Sequence, residues 1–270
     1  MRLDDKVCVV TGGASGIGEA IIRAFAAAGA RTVIMDVNLD QGLRLHEEVP
    51  GSSFVACNVA DSAAVDKAFA TIATEFGSID VLVNNAGIVG KDEYQRVQSR
   101  REQQFAELTR DGKVETPLRA TVNLTDDQWH AMLAVHLNGT FFCTRAALRH
   151  MELQRSGAIV NISSINGIDG GNGNPHYSAA KAGILGFTRA VAKDVIGQGI
   201  RVNAVAPGFI DTPLRDSISP SIQRAQIAAT PIGRAARAEE VAQAVLFLAT
   251  DASSYIVGQT LSPNGGYLTV

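Results

Sequence analysis

The stretch VCVVTGGASGIG, residues 7–18, joins a short apolar run to a glycine-rich turn. The apolar run predicts a β-strand, and the residues from Gly16 onward predict a helix. Glycines allow a tight turn and a close approach of the backbone to a ligand, while a helix N-terminus offers N–H groups and a positive dipole to phosphates. A glycine turn can be purely structural, but this strand-to-helix setting favours a pyrophosphate site formed by Gly12, Ser15, Gly16, Ile17 and Gly18.

Outside this stretch, further short apolar runs alternate with helical patterns. The runs lack polar alternation, as expected of strands whose two faces are both covered. Such a series predicts an α/β fold with a parallel sheet, right-handed crossovers and helices on both faces, with ligands at the carboxyl ends of the strands. No internal repeat or linker divides the chain, so one domain, residues 1–270, is predicted. Strands are predicted at 7–10, 32–35, 53–56, 81–83, 158–162 and 202–205, and helices at 16–28, 62–76, 125–149, 175–196 and 238–249.

The bulk composition excludes several classes of function. A formal net charge of -3 gives no general attraction to nucleic acid or to an anionic membrane, so neither is an expected partner. Cys8, Cys57 and Cys143 are widely spaced in apolar segments, which predicts buried thiols rather than a disulfide framework or a metal site. The sequence has no secretory signal and no apolar run of membrane-spanning length, which predicts a cytoplasmic protein.

Tyr177, Lys181 and Ser164 form a candidate catalytic set. A phenol donates a proton to a carbonyl efficiently only if its pKa, about 10 in free peptides, is lowered toward the working pH. Positions i and i+4 share a helix face, so the Lys181 ammonium can stabilise the Tyr177 phenolate while Ser164 hydrogen-bonds the reacting oxygen. An isolated pair of this spacing is more often a buried tyrosine beside a surface lysine. The glycine turn and the serine instead favour a nicotinamide-dependent alcohol or ketone oxidoreductase.

Asp36 ends the second predicted strand, 18 residues after Gly18. An acidic side chain there accepts hydrogen bonds from the adenosine ribose hydroxyls and repels a 2′-phosphate, which predicts NAD as the cofactor. The alternative is an aspartate that caps a helix within a turn.

The motifs, taken in order, resemble those of the short-chain dehydrogenase/reductase family. They are Thr11-Gly12, Asn84-Asn85-Ala86-Gly87, Ser164, Tyr177 with Lys181, Pro207-Gly208 and Asn264-Gly265-Gly266. The resemblance implies a Rossmann-type doubly wound sheet, a homotetramer and a small hydroxy or keto substrate. It also implies that Tyr177 is the general acid/base and that Lys181 anchors the nicotinamide ribose. Further cofactor contacts implied by the resemblance are Asn58, Val59, Asn85, Ala86, Gly87, Pro207, Gly208, Ile210 and Thr212.

His136 departs from the family pattern, because it stands where relatives carry a catalytic asparagine. In relatives that asparagine holds a helix irregularity and a water through which the lysine exchanges protons. An imidazole can hydrogen-bond a water and move protons near neutral pH, so His136 is a candidate member of an altered relay. The alternative is a packed histidine, with the relay running through backbone carbonyls and water.

Two segments are candidates for contacts with the substrate. Residues 91–119 form an insertion of roughly twenty residues relative to compact relatives, in which Tyr94, Val97, Phe105 and Leu108 are spaced as one apolar helical stripe. This stripe favours a cover over the substrate mouth or a subunit contact over a solvated excursion. Residues 213–234 resemble the mobile substrate loop of relatives, and the alternative is an ordinary surface loop.

The sequence therefore predicts an NAD-dependent secondary-alcohol dehydrogenase or ketone reductase. Two alternatives stay open: a 3-oxoacyl thioester reductase, and a non-catalytic NAD-binding sensor or scaffold made conceivable by His136.

Overall fold

A seven-stranded parallel sheet forms the centre of the molecule, in a computed structural model that describes residues 1–171, 173–212 and 218–269, with the backbone alone at 91–94. Strands β1–β6 and β9 form it in the order β3-β2-β1-β4-β5-β6-β9, while β7 and β8 form a separate two-stranded ribbon. The strands are β1 (Val7–Thr11), β2 (Arg31–Asp36), β3 (Ser52–Ala56), β4 (Val81–Asn84), β5 (Gly157–Ile162), β6 (Ile200–Val205), β7 (Ile210–Asp211), β8 (Ala236–Arg237) and β9 (Thr260–Leu261).

The helices connect these strands and cover both faces of the sheet. A π-helical turn, Ala134–Asn138, separates α5 from α6. The helices are α1 (Gly16–Ala27), α2 (Leu39–Glu48), α3 (Ser62–Phe76), α4 (Lys91–Asp111), α5 (Asp126–Leu133), α6 (Gly139–Gln154), α7 (Asn166–Asp169), α8 (Pro175–Val195), α9 (Pro220–Ala228) and α10 (Ala238–Ala249).

Two hydrophobic cores lie on opposite faces of the sheet because successive strand residues point to opposite sides. On β1, Val10 packs in one core with Phe25 of α1. Its neighbour Val9 packs in the other core with Phe69 of α3. Both faces of β1 are therefore buried, and its five residues are all buried, which explains an apolar run without alternation.

The sheet and its order confirm the predicted doubly wound α/β fold, and the six predicted strands match within two residues. The helix predicted over 125–149 is present and extends to Gln154, but it contains the π-helical turn at Ala134–Asn138, which the sequence pattern did not indicate. Helices α2, α7 and α9 and strands β7, β8 and β9 were not predicted. Strand β9 has only two residues, too few for a periodicity, and it forms by pairing with Ala204 and Val205 of β6.

Among the described residues, no helix combines the length and the apolar character needed to cross a membrane.

Candidate active site

The glycine turn after β1 brings the backbone close to the neighbouring turn after β4. Gly12 has φ +61°, and a Cβ placed on it would lie 2.8 Å from the Cα of Ala86. A Cβ on Gly18 would lie 2.0 Å from the carbonyl oxygen of Gly12, so α1 can begin this close to the turn only with glycine at that position. The first residue before α1, Ser15, makes no side-chain cap, and the start of the helix is left open toward a ligand.

Thr11 and Asn85 hold the two turns together. The Thr11 hydroxyl oxygen accepts hydrogen bonds from the backbone N–H groups of Asn85 and Ala86, each at 3.0 Å. The Asn85 side-chain amide donates back to the carbonyl oxygens of Thr11 at 3.1 Å and Gly12 at 3.0 Å. These reciprocal bonds set the floor of a cavity at the carboxyl ends of β1 and β4.

That cavity has a volume of about 700 Å³, in the range of small-molecule and cofactor sites. It brings together nearly all the site residues expected from the sequence. Gly18 is the exception, since it packs beneath the turn rather than lining the space. The expected residues that line it are Gly12, Ser15, Gly16, Ile17, Asp36, Asn58, Val59, Asn85, Ala86, Gly87, His136, Ser164, Tyr177, Lys181, Pro207, Gly208, Ile210 and Thr212.

At one end of the cavity, Asp36 closes strand β2. One carboxylate oxygen accepts a hydrogen bond from the Ala14 N–H and the other from the Asn38 N–H, both at 3.0 Å. Each oxygen retains a further lone pair for a ligand hydroxyl. Among the described residues that line this cavity, the charged ones are Asp36 and Lys181.

Asn58 lies near the same end, where its Oδ1 accepts from the N–H of Ala60 at 3.0 Å. This bond orients the exposed side chain and leaves its amide N–H groups as donors for a ligand.

Lys181 lies at the other end, buried beneath Tyr177. Its Nζ lies 5.7 Å from the centroid of the Tyr177 ring and donates a 2.8 Å hydrogen bond to the carbonyl oxygen of Ile162. Burial lowers the pKa of Lys181 to about 7, because the interior solvates an ammonium poorly. Ile162 was not expected from the sequence, since a backbone carbonyl carries no residue-specific signal.

Ser164 lies at the end of β5, on the same cavity wall. Its Oγ accepts a hydrogen bond from the N–H of Asn166 at 3.1 Å. This contact orients the hydroxyl and leaves its hydrogen available to donate to a substrate oxygen.

His136 lies within the π-helical turn and contacts both Tyr177 and the loop after β4. Its Nε2 lies 3.0 Å from the nitrogen and 2.9 Å from the oxygen of the Ile88 backbone. Its ring stands at 88° to the Tyr177 ring, with 5.4 Å between centroids. A Cβ on Gly87 would lie 2.6 Å from Cε1 of this imidazole, so glycine at that position leaves room for the ring.

The pKa of His136 is lowered to about 3, first by burial and then by the charge of Lys181. The imidazole is therefore neutral at physiological pH. Proton transfer through an imidazolium near neutral pH, which the sequence allowed, is not supported by this environment. Nδ1 is buried and has no hydrogen-bond partner among the described residues.

The insertion at 91–119 forms helix α4 and a following segment, residues 112–119, that folds back along the helix. Glu107 accepts hydrogen bonds from the N–H groups of Glu115 and Thr116 and from the Thr116 hydroxyl, which lower its pKa to about 2. Val97 is buried, whereas Phe105 is 60% and Leu108 53% exposed. The expected stripe is thus buried only at Val97 among its described side chains, and the Tyr94 side chain lies outside the described part.

The expected substrate loop, residues 213–234, lies partly outside the described residues, at 213–217. Its described part contains α9, and Ile218 and Gln226 line the cavity. His176 and Asn174 line it as well.

A family model described as short chain dehydrogenase matches residues 6–223. The chain belongs to the short-chain dehydrogenase/reductase family. It is 39% identical over 270 residues to the 3-oxoacyl-(acyl-carrier-protein) reductase of Thermotoga maritima, covering 98% of this chain and 99% of that protein. It is 41% identical over 269 residues to the cis-4-hydroxycyclohexanecarboxylate dehydrogenase of Sinomonas cyclohexanicum, covering 98% of each. The crystal structure of gox2181 matches with a TM-score of 0.85 and 32% identity, covering 98% of this chain and 96% of that one.

As a short-chain dehydrogenase/reductase, the chain is an oxidoreductase that interconverts CH–OH and keto groups of a small-molecule substrate with a nicotinamide cofactor. The cavity fits such a cofactor. An uncapped helix N-terminus lies beside a glycine turn that admits no larger side chain at Gly12, and an acidic residue lies at the end of the next strand.

Proposed function

We propose that this short-chain dehydrogenase/reductase is an NAD-dependent secondary-alcohol dehydrogenase or ketone reductase, with Tyr177, Lys181 and Ser164 as its catalytic residues. The observation that carries the proposal is the buried Lys181 Nζ, 5.7 Å from the Tyr177 ring centroid in a cavity that Ser164 also lines. A desolvated ammonium so close to a phenol favours the phenolate and lowers the pKa of the phenol.

In alcohol oxidation, Ser164 donates a hydrogen bond that orients the substrate oxygen. The Tyr177 phenolate removes the hydroxyl proton, and Lys181 stabilises the phenolate before that transfer. NAD, when bound, supplies the acceptor for the hydride that leaves the carbinol carbon. In ketone reduction the neutral Tyr177 returns a proton to the same oxygen.

The preference for NAD rests on Asp36. Its carboxylate would accept hydrogen bonds from the adenosine ribose hydroxyls and repel a 2′-phosphate. Ser15 and Val37 line the cavity nearby, and neither supplies a positive charge that would attract such a phosphate. Gly12, Gly16, Ile17 and Gly18 would serve the pyrophosphate, Asn58 and Val59 the adenine, and residues 207–212 the nicotinamide.

A 3-oxoacyl thioester is the second candidate substrate class. The relative from Thermotoga maritima, named for the reduction of such thioesters, supports it through its nearly complete coverage of this chain. The relative from Sinomonas cyclohexanicum, named for a cyclic hydroxy acid, supports the first candidate at a similar level of identity.

We also propose a homotetramer, assembled through the helices that contain His136 and Tyr177 and through the C-terminal region. Phe141 of α6 is 41% exposed and packs against Phe142 and Phe187, which leaves an aromatic surface on these helices in the single chain. A cytoplasmic location stays a prediction from the sequence.

The test measures the formation of NADH, by its absorbance, with each member of a panel of secondary alcohols. A panel of 3-oxoacyl thioesters is assayed in the reverse direction, by the consumption of NADH. Turnover of a secondary alcohol with NAD is expected. A protein that binds NAD but turns over no member of either panel would instead fit the non-catalytic sensor or scaffold.

A further inference from the structure

A second cavity, of about 420 Å³, lies between helices α4 and α9, and we call it the outer compartment. Four of its wall residues also line the active-site cavity: Asn166, Asn174, Phe209 and Gln226. Because the same side chains border both spaces, the outer compartment adjoins the active site. A substrate held at Ser164 and Tyr177 would extend toward it.

The insertion helix α4 forms one wall of this compartment, and several contacts hold it there. Val97 packs against the loop before α8, where a Cβ on Gly173 would lie 2.5 Å from the Val97 Cγ1. The buried Gln98 accepts a hydrogen bond from the Ser219 N–H at 3.2 Å, directly before α9. One turn later, Glu102 accepts from the Ser221 hydroxyl at 3.1 Å. These contacts place α4 against the rim of the active site.

Most of the surface of the outer compartment is apolar, although Arg101, Glu102 and four uncharged polar residues also line it. Phe105 of α4 lies opposite a face of α9 that bears Ile222, Ala225 and Ala229. Phe209 and Tyr267 complete the lining with a T-shaped ring contact, 5.0 Å between centroids. The small side chains of α9 create the space, and the aromatic rings offer surface to an apolar group.

We propose that the outer compartment is the subsite for the remote part of the substrate, and that it takes an apolar ring or branched chain attached to the reacting carbinol carbon. The inference rests on the proposed function, since Ser164 and Tyr177 define where the carbinol lies. It assigns Phe105 and Ala225 as specificity-determining residues and gives the insertion a role in substrate selection.

Two positions on α9 provide a matched test. Ala225 and Ala228 are both exposed and lie one turn apart, but Ala225 lines the outer compartment and Ala228 lines neither cavity. Ala225→Phe would fill the compartment, whereas Ala228→Phe adds the same side chain outside it. Melting temperature and NAD affinity would verify both folds. Should Ala225→Phe be unstable, Ala229→Phe fills the same space from the next turn of the helix.

The probes are 2-butanol and 1-cyclohexylethanol for kcat/KM, and 2-butanone and cyclohexyl methyl ketone for calorimetric binding, which does not depend on turnover. The parent is expected to favour the cyclohexyl compounds by about tenfold or more, since the added ring buries apolar surface. Ala225→Phe should reduce that preference by about tenfold, with 2-butanol little changed. Ala228→Phe should retain it.

The proposal is overturned if the parent shows no such preference, or if the two phenylalanine variants behave alike. Oxidation of both alcohols without a size preference would contradict the proposed subsite and leave the proposed function intact. Conversely, a size preference in ketone binding that Ala225→Phe abolishes, without oxidation of any alcohol, would support the subsite and remove the proposed function.

Discussion

The imidazole of His136 stands almost perpendicular to the phenol ring of Tyr177, with 5.4 Å between their centroids. The same imidazole is held on its other side by the Ile88 backbone, at 2.9–3.0 Å from Nε2. The π-helical turn that carries His136 therefore links the loop after β4 to the proposed general acid/base. A residue at this position can affect Tyr177 by packing as well as by proton transfer.

For His136, we predict that His136→Asn retains most activity, because it restores the group usual in the family. His136→Leu should slow turnover, because leucine cannot hydrogen-bond a relay water. With its pKa near 3, the imidazole is neutral from pH 6 to 9, so the parent's pH profile should contain no step from this residue. The measurement is kcat against pH for leucine and asparagine variants shown to be folded and to bind NAD. A folded leucine variant as fast as the parent throughout would make the histidine structural.

For Tyr177, we predict that Tyr177→Phe lowers turnover by about 10² or more, because the ring stays but the transferable proton is lost. NAD affinity should change little. Steady-state kinetics and NAD titration of the same preparation separate the two effects. Retained turnover in the phenylalanine variant would contradict the assignment.

For Lys181, we predict that Lys181→Met lowers both turnover and NAD affinity and also changes how stability depends on pH. The folded-state pKa of Lys181, about 7, lies below the value of about 10.4 in an unfolded chain, so the unfolded state binds more protons between these two values. Stability of the parent should therefore rise with pH relative to Lys181→Met, by about 2 kcal/mol from pH 7 to pH 9. Below pH 7 both states hold the proton, and the folded state bears the full cost of burying the charge.

Denaturant unfolding of both proteins without cofactor, at pH 6, 7 and 9, measures this difference. Groups remote from Lys181 titrate alike in both proteins and cancel. Both proteins carry Tyr177→Phe in this measurement, because the proposed mechanism makes the pKa of the Tyr177 phenol depend on Lys181. A constant difference in unfolding free energy across this range would show that the lysine is not desolvated as described.

For Asp36, we predict that kcat/KM with NAD exceeds that with NADP by at least about tenfold, or roughly 1.4 kcal/mol. Asp36→Ala should narrow the gap, because it removes both the ribose hydrogen bonds and the repulsion of the 2′-phosphate. Asp36→Asn is a useful companion, since it removes the charge while retaining an acceptor for the Ala14 or Asn38 N–H. Equal efficiencies with the two cofactors in the parent would remove the basis for NAD selection.

For the insertion, we predict that a short Gly/Ser connection in place of residues 91–119 leaves folding and NAD binding intact. The substrate KM or the oligomeric state should change, because α4 borders the outer compartment and is seated on the start of α9. Substrate kinetics and light scattering measure these outcomes. If neither the substrate KM nor the oligomeric state changes, the segment is a solvated excursion despite its contacts.

Much of the fold follows from local patterns in the sequence. Strands β1 and β5 are buried on both faces of the sheet. Their continuous apolar composition therefore indicates directly that they are strands covered on both sides. The stripe in α4 was less informative, because a helix has several possible faces and the partner decides which one is buried. Here Val97 meets the loop at Gly173, while Phe105 and Leu108 stay exposed.

The sequence by itself determined the doubly wound fold, because apolar runs and helical patterns alternate along the chain. Its ordered motifs determined the family, and the resemblance to that family implied most of the residues that line the cavity. The tertiary structure decided the protonation of Lys181 and His136, since burial lowers both pKa values and the charge of Lys181 lowers that of His136 further. It also decided the π-helical turn, the Ile162 carbonyl as the partner of Lys181, and the outer compartment between α4 and α9. Each of these depends on groups distant in sequence meeting in space, and on water being excluded where they meet.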